Sequence, residues 1–345
     1  MAMSSWLEGP TRDRQLPPHE SNLPILCMST RGTDIVTGGA DHALQEYNAI
    51  DGTRRRILFS QRYGHRDWVT CVSYAHDGRI LSGGSDAQLC LWDRTGVRCD
   101  SLTEHSSSIS AVQCDTDGPF AISGSYDKTL KVWSLNGKRC LHTLVGHNAP
   151  VFDLSRDGVV ILWDVNRGVA VATLRGHSAP VSTMTLLSDR LGMLATGAQD
   201  GEVCLWDMRD PSRPAFKRFL HSRAAVGAIC ECQDPSSIIT GGSDNTLRVL
   251  DPAAGYEVRA TLAGHQSAVV SASAVASQPS LVVSGGVNGW VLVHSIDGVQ
   301  GDVPQQALYA LGANKAAVRC LEVLSDGAHL AVAGEDGSAA VYDFC

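Results

Sequence analysis

Histidine, serine or threonine, aspartate and tryptophan recur along this chain at fixed spacing. Three copies hold all four: His65, Ser82, Asp86 and Trp92; His105, Ser123, Asp127 and Trp133; His177, Thr196, Asp200 and Trp206. A hydroxyl, an imidazole and a carboxylate are the parts of a nucleophilic triad, in which the ring takes the hydroxyl proton and the carboxylate orients the ring. An active site is expected once. Here the set returns around the chain, each time at strand and turn positions that would bury it. Repetition therefore argues for a structural role and against an enzyme. Nor does the chain hold a phosphate loop, nucleophile elbow, zinc-protease helix or dinucleotide fingerprint.

The elements that hold these residues form a repeat. Gly-His opens each unit, a Ser/Thr-Gly-x-x-Asp turn follows, and Trp-Asp closes it, as in Gly64-His65, Ser82 to Asp86, and Trp92-Asp93. Openings fall at His19, His65, His105, His147, His177, His221 and His265, with Ala313 in the last unit. Turn acids stand at Asp41, Asp86, Asp127, Asp157, Asp200, Asp244 and Asp336, with Asn288 in unit seven. The closing position, six residues on, is Tyr47, Trp92, Trp133, Trp163, Trp206, Leu250, His294 and Tyr342, which makes eight units. In unit two, alternation and turn residues predict strands over 69–73, 79–83, 87–93 and 98–102. The stretch before each Gly-His is the outer strand of the preceding unit. Unit eight therefore lacks one, and Thr11–Leu16 is placed to supply it, which would join the two ends and remove an exposed sheet edge.

A period of about forty with these end-marks resembles the WD40 repeat family of β-propellers, over residues 11–345. The resemblance implies an all-β fold, one propeller domain of eight blades (seven being the alternative), preceded by a flexible tail at residues 1–10. It also implies a buried relay. In this family the turn Asp accepts from the His, the His bonds the Ser or Thr, and that hydroxyl meets the indole N–H. Such a set stands or falls together, because each buried polar group needs its partner. Units six to eight lose members. The expected function is non-catalytic docking of other proteins or peptides, by a monomeric propeller within a larger complex. No cofactor and no metal are expected.

Unit four departs from the pattern. His147 and His177 are only 30 residues apart, and Val151-Phe152-Asp153-Leu154 runs at once into Ser155-Arg156-Asp157-Gly158. A strand and its turn are missing, along with any Ser or Thr four residues before Asp157. A three-stranded fourth blade, or imperfect closure of the ring there, is expected, with low stability or dependence on chaperones.

Composition narrows the partner. The net charge of −8 argues against a general binder of phosphate backbones, and Arg54-Arg55-Arg56 reads as a solvated outer strand. The 11 cysteines include no CxxC pair; Cys27, Cys71, Cys90, Cys204 and Cys320 sit in apolar strand patterns, and Cys230 and Cys232 share a face without a second pair for zinc. Unpaired cysteines, a polar N-terminus and the absence of a spanning apolar stretch predict an intracellular protein, cytoplasmic rather than nuclear, with no membrane insertion.

Two surfaces are candidates for docking. On the narrow top face, formed by the loop after each Gly-His and the residue before each turn Asp, stand Arg66, Trp68, Tyr126, Arg156, Gln199 and Arg223. Large aromatics anchor interfaces well. An acidic or mixed peptide over blades two to five is expected there. On the bottom face, residues 193–209 resemble the WDxR box of substrate receptors for cullin-4 ubiquitin ligases. That resemblance implies adaptor contacts through Asp200, Trp206, Asp207 and Arg209. The Phe-Arg-Arg-Gly loop of phosphoinositide-binding propellers is absent.

Overall fold

In the computed structural model the described residues are 5–19, 23–59, 64–151, 158–187, 192–232, 237–298, 304–312 and 314–344. They form eight sheets around the chain, one for each repeat unit, antiparallel except for one added strand. Blade two runs Val69–Tyr74, Ile80–Gly84, Leu89–Trp92 and Cys99–Leu102, each strand paired with the next. Blades one, three and five repeat this order, and blade seven ends on a short outer strand, Tyr309–Leu311. Blade six gains a fifth strand, because Gln305–Gln306 pairs in parallel with its outer strand at Leu262 and Ala263.

The glycine of each Ser/Thr-Gly pair has a steric reason. At the start of each blade's first strand, or at the matching position in blade four, stands a buried Ile or Val: Ile25, Val69, Ile109, Val151, Val181, Val226, Val269 and Val318. Six of these, all but Ile25 and Val181, enter the space above the preceding blade's glycine. A Cβ on Gly83 would lie 2.7 Å from Ile109 Cγ2, and one on Gly197 would lie 2.6 Å from Val226 Cγ1. The socket lets neighbouring sheets approach closely enough to share one core. Between blades two and three that core joins Leu81, Leu89 and Leu91 to Ile109, Ala121 and Trp133.

The ring closes as the sequence predicts. Arg12–Gln15 pairs antiparallel with Ala340–Asp343, and Arg14 bonds the Asp343 carboxylate at 2.5 Å. Of the flexible tail expected at residues 1–10, the described part from residue 5 on is docked. Ser5–Glu8 is a helical turn, and Trp6 is 2% exposed. Its ring stacks on Phe344 at 3.6 Å, and its Nε1 donates to Gly327 O at 2.9 Å. An indole that finds both a stacking partner and an acceptor is worth more buried than in water, so this segment pins the closure.

Blade four is incomplete, as expected. Of its three expected strands the described residues give two, Val159–Asp164 and Val169–Arg175. Of the predicted first strand only Val151 is placed, where its N–H donates to Ser125 O at 3.0 Å; residues 152–157, with Arg156 and Asp157, lie outside the described residues. Val181 has no glycine socket in front of it. The two strands rest on blade five through Val160, Leu162 and Leu174 against Leu194 and Trp206. A melt below about 65 °C is expected for this chain, and a second strand inserted after Leu154 should raise it by several degrees. A higher melt of the present sequence would show that blade four costs the ring nothing.

Candidate functional site

The relay is complete in blades two and three. His65 Nδ1 lies 3.1 Å from Asp86 Oδ1, its Nε2 lies 2.8 Å from Ser82 Oγ, and Trp92 Nε1 donates to that Oγ at 3.0 Å. The matching distances in blade three are 2.7 Å to Asp127, 2.8 Å to Ser123 and 2.8 Å from Trp133. One assignment of protons satisfies every group. The indole N–H donates to the hydroxyl, the hydroxyl to Nε2, and Nδ1–H to the carboxylate. Ser82 and Ser123 are buried, and the hydroxyl lone pair that would attack a substrate already accepts from an indole. This geometry holds a wall in place and offers no nucleophile to solvent.

The opening glycine belongs to the same unit. A Cβ on Gly64 would meet Trp92 Cη2 at 2.8 Å, and one on Gly176 would meet Trp206 Cη2 at 2.7 Å. The ring that donates to the hydroxyl therefore packs over the residue before the His. Burial opposes the charge of Asp127, but hydrogen bonds from Thr129, His105 and the Ser106 N–H outweigh it and hold its carboxyl at about 2.

Blade five needs a correction. His177 Nε2 bonds Thr196 Oγ1 at 2.7 Å, and Trp206 donates to the same oxygen at 2.9 Å. Asp200, however, accepts from Ser178 Oγ at 3.0 Å, and the acid 3.3 Å from His177 Nδ1 is Glu202. The turn presents two acids two residues apart, and the longer one reaches the ring. Glu202 is buried and is held on its other side by Lys217 Nζ at 3.0 Å. His177, Glu202 and Cys204 bring three ligand-type atoms within 4.8 Å. With the Lys217 ammonium already on the carboxylate, the group reads as a compensated ion pair.

The degenerate copies lose the relay link by link. Blades one and six keep His19–Thr37–Asp41 and His221–Thr240–Asp244. Blade seven keeps His265 on Ser284 at 2.7 Å, but with Asn288 in the turn His265 Nδ1 has no partner. In blade eight the expected Ala313 lies outside the described residues, and Asn314 takes the place of the His. Lys315 N–H bonds Asp336, as Arg66 N–H bonds Asp86, and Ser338 Oγ donates to Asn314 Oδ1. In blade four Trp163 Nε1 is buried with no partner, and among the described residues no second strand brings it a hydroxyl.

The loop after the His and the residue before the turn acid meet at one edge of the blade wherever both are described, in every blade but the fourth. Ser85 N–H bonds Trp68 O, Tyr126 N–H bonds Ser108 O, and Gln199 N–H bonds Pro180 O. The named positions thus occupy equivalent places on their own blades. Trp68 is 52% and Tyr126 41% exposed, on adjoining blades, and Arg66, Gln199 and Arg223 are exposed as well. At the other end of blade five, Trp206 is buried, whereas Arg209 faces solvent and forms a two-pronged ion pair with Asp207 at 2.7 and 2.9 Å. None of the ten described cysteines forms a disulfide. Among the described residues no helix is long and apolar enough to cross a membrane.

A family model described as WD domain, G-beta repeat matches residues 57–93, 96–134, 168–207 and 305–343. The chain is a WD40-repeat propeller protein. Blade four, with its missing strand, falls outside those stretches except for its outer part. The ribosome biogenesis protein WDR12 homolog of Drosophila pseudoobscura pseudoobscura is 31% identical over 248 residues, 67% of this chain and 51% of that protein. Autophagy-related protein 16 of Arabidopsis thaliana is 24% identical over 285 residues, 81% of this chain and 48% of that protein. The chain therefore spans about half the length of these relatives. Among solved structures, the computationally designed Ika8 protein superposes with a TM-score of 0.77 at 23% identity, covering 95% of this chain and 98% of its own, which shows the shared fold. WD40-repeat proteins generally act as protein-interaction scaffolds.

Two tests follow from the relay. Trp92→Phe should cost about 1–3 kcal/mol in urea unfolding, since it leaves buried acceptors unmet, whereas Trp163→Phe should cost nothing beyond shape. Equal losses would mean that the indole N–H does no work in blade two. Burial lowers His265 and His294 to about 4, and the two rings lie 6.3 Å apart. A folded-state value below the unfolded one of about 6.5 means that the unfolded chain takes the protons first. Stability should therefore fall as pH drops from about 6.5 to about 4, and His294→Tyr should flatten that slope. An unchanged slope would show that these rings titrate alike in both states.

Proposed function

We propose that this propeller docks a partner protein on its top face, over blades two to five, without catalysing a reaction on it. The observation that carries the reading is the pair of exposed aromatics, Trp68 and Tyr126, standing on adjoining blades directly above two complete relays. Rigid aromatics lose little freedom on binding and supply large contact areas, which is what interface anchors require. Arg66 and Arg223 add positive charge to the same rim, so the preferred partner is an extended acidic or mixed-charge segment. The setting is an intracellular complex, cytoplasmic in preference to nuclear, and the propeller enters it as a single copy.

A cullin-4 adaptor on the bottom face is a second reading, supported by the solvent-facing Arg209. Trp206 takes no part in it, being committed to Thr196, and Asp207 already satisfies the arginine.

Trp68→Ala combined with Tyr126→Ala should cut partner recovery in affinity purification from native cells by tenfold or more, on the order of 2 kcal/mol for a central aromatic, with the melting temperature unchanged. Arg209→Ala beside it reads the other face. Partners retained by the aromatic double variant but lost with Arg209→Ala would replace the top-face reading with the bottom-face one.

A further inference from the structure

A cleft of about 620 Å³ lies on the bottom face at the seam between blades one and two, lined by four arginines: Arg31, Arg55 and Arg56 of blade one and Arg94 of blade two. Arg31 ends the first strand of blade one, and Arg55 and Arg56 lie on its outer strand. Arg94 lies in the turn between the third and fourth strands of blade two. Within the run Arg54-Arg55-Arg56, the first two are exposed, as a solvated outer strand requires. Arg56 is half-buried and reaches the Glu46 carboxylate.

Three acids share the cleft, and each already has an arginine. Glu46 accepts from Arg56 and, at 3.0 Å, from the Tyr74 hydroxyl. Asp34 lies 2.8 Å from Arg55, and Asp77 lies 2.8 Å from Arg79, which is not part of the lining. Among the described residues no carboxylate comes within ion-pair distance of Arg31 or Arg94. The cleft therefore carries two positive charges that nothing in it neutralises, on a chain whose net charge is −8.

The turns of blade two hold these guanidiniums in place. Arg31 Nη2 donates to His76 O at 3.0 Å across the seam, and its Nη1 fills the space that a Cβ on Gly78 would take. Arg56 donates to Arg94 O across the same seam, and its Cδ lies 3.0 Å from where a Cβ on Gly96 would stand. Gly78 and Gly96 have φ of +86° and +72°, so the turns that cradle the arginines call for glycine on both counts. Donors fixed in this way lose little freedom on binding, and a guanidinium offers a planar fork of N–H groups that matches phosphate oxygens.

We propose that this cleft binds a phosphate monoester carried by a partner protein, a phosphoserine or phosphothreonine side chain. Such a group brings about two negative charges and three acceptor oxygens, which matches the two unpaired guanidiniums in charge and in donors. Nucleic acid and anionic lipid surfaces extend well beyond one cleft and would meet the chain's overall negative charge, whereas a single ester on a protein need not. The site uses residues separate from Trp68 and Tyr126 on the top face and from Arg209 on blade five, so it stands whichever of those surfaces is occupied.

The test uses the full chain and an immobilised phosphoserine peptide library, degenerate on both sides of the phosphoserine, beside the same library after phosphatase treatment. The phosphorylated library should retain about tenfold more protein, the worth of one charge-assisted hydrogen bond or more. Arg31→Gln combined with Arg94→Gln should remove that preference, with the melting temperature unchanged because both side chains are exposed. Arg94→Lys alone keeps the charge but loses the fork, and should cut retention by about three- to tenfold. Arg139→Gln combined with Arg213→Gln removes the same charge from exposed positions on blade three and blade five and should leave retention unchanged, as should Trp68→Ala with Tyr126→Ala. Equal retention on the two libraries would overturn the proposal. So would a preference that survives Arg31→Gln with Arg94→Gln, or one that the Arg139 and Arg213 changes abolish equally. If the chain ignores the library but sediments with phosphatidylcholine vesicles containing phosphatidylinositol 4-phosphate, and the Arg31 and Arg94 changes abolish that, a lipid headgroup fills the cleft and the partner-protein assignment is wrong.

Discussion

An indole N–H buried between two sheets must find an acceptor, and much of this molecule follows from how it does. Trp92 reaches Ser82, Ser82 reaches His65, and His65 reaches Asp86. The tryptophan lies on the third strand, the serine on the second, the histidine before the first, and the acid in the turn between the second and third. A single relay therefore ties together the parts of a blade that are furthest apart in sequence. It does so without net charge transfer, since each donor meets one acceptor. The cost of leaving any member unmet, about 1–3 kcal/mol when buried, is what makes the four residues recur as a set.

Packing between blades depends on a second constraint of similar kind. At six of the blade junctions the Ile or Val that starts a blade occupies space that a side chain on the previous blade's glycine would fill. The same short stretch, Ser82-Gly83, thus serves the relay with its hydroxyl and the neighbouring blade with its missing Cβ. Losing the second strand removes both at once. In blade four this leaves Trp163 without an acceptor and Val181 without a socket, while the contacts of the outer strands with blade five survive. The ring tolerates the defect because six inter-blade sockets remain and because the Trp6 anchor and the Arg12–Gln15 strand hold the seam.

The blade count, the closing strand and the members of the relay in blades two and three were legible in the sequence, because spacing and residue type together leave few alternatives. Where they leave several, the structure decides. Asp200 sits at the expected turn position, yet Glu202, two residues on, has the reach to meet His177 from the strand. Asn314 sits one residue past the expected position and makes the polar contact that Ala313 could not. Trp6 lies in a polar stretch with no periodicity, and only its partner Phe344, at the other end of the chain, gives it a place. Each miss involves a contact between segments whose proximity local pattern cannot supply.

The same division of labour explains why this fold serves docking. Its relay histidines and acids are spent on fixing strands to one another, and exposed aromatics stand at the rim, outside the relays. Trp68 and Tyr126 keep roughly half of their surface open at the rim. Burying that surface against a partner removes apolar area from water at no cost to the blades beneath.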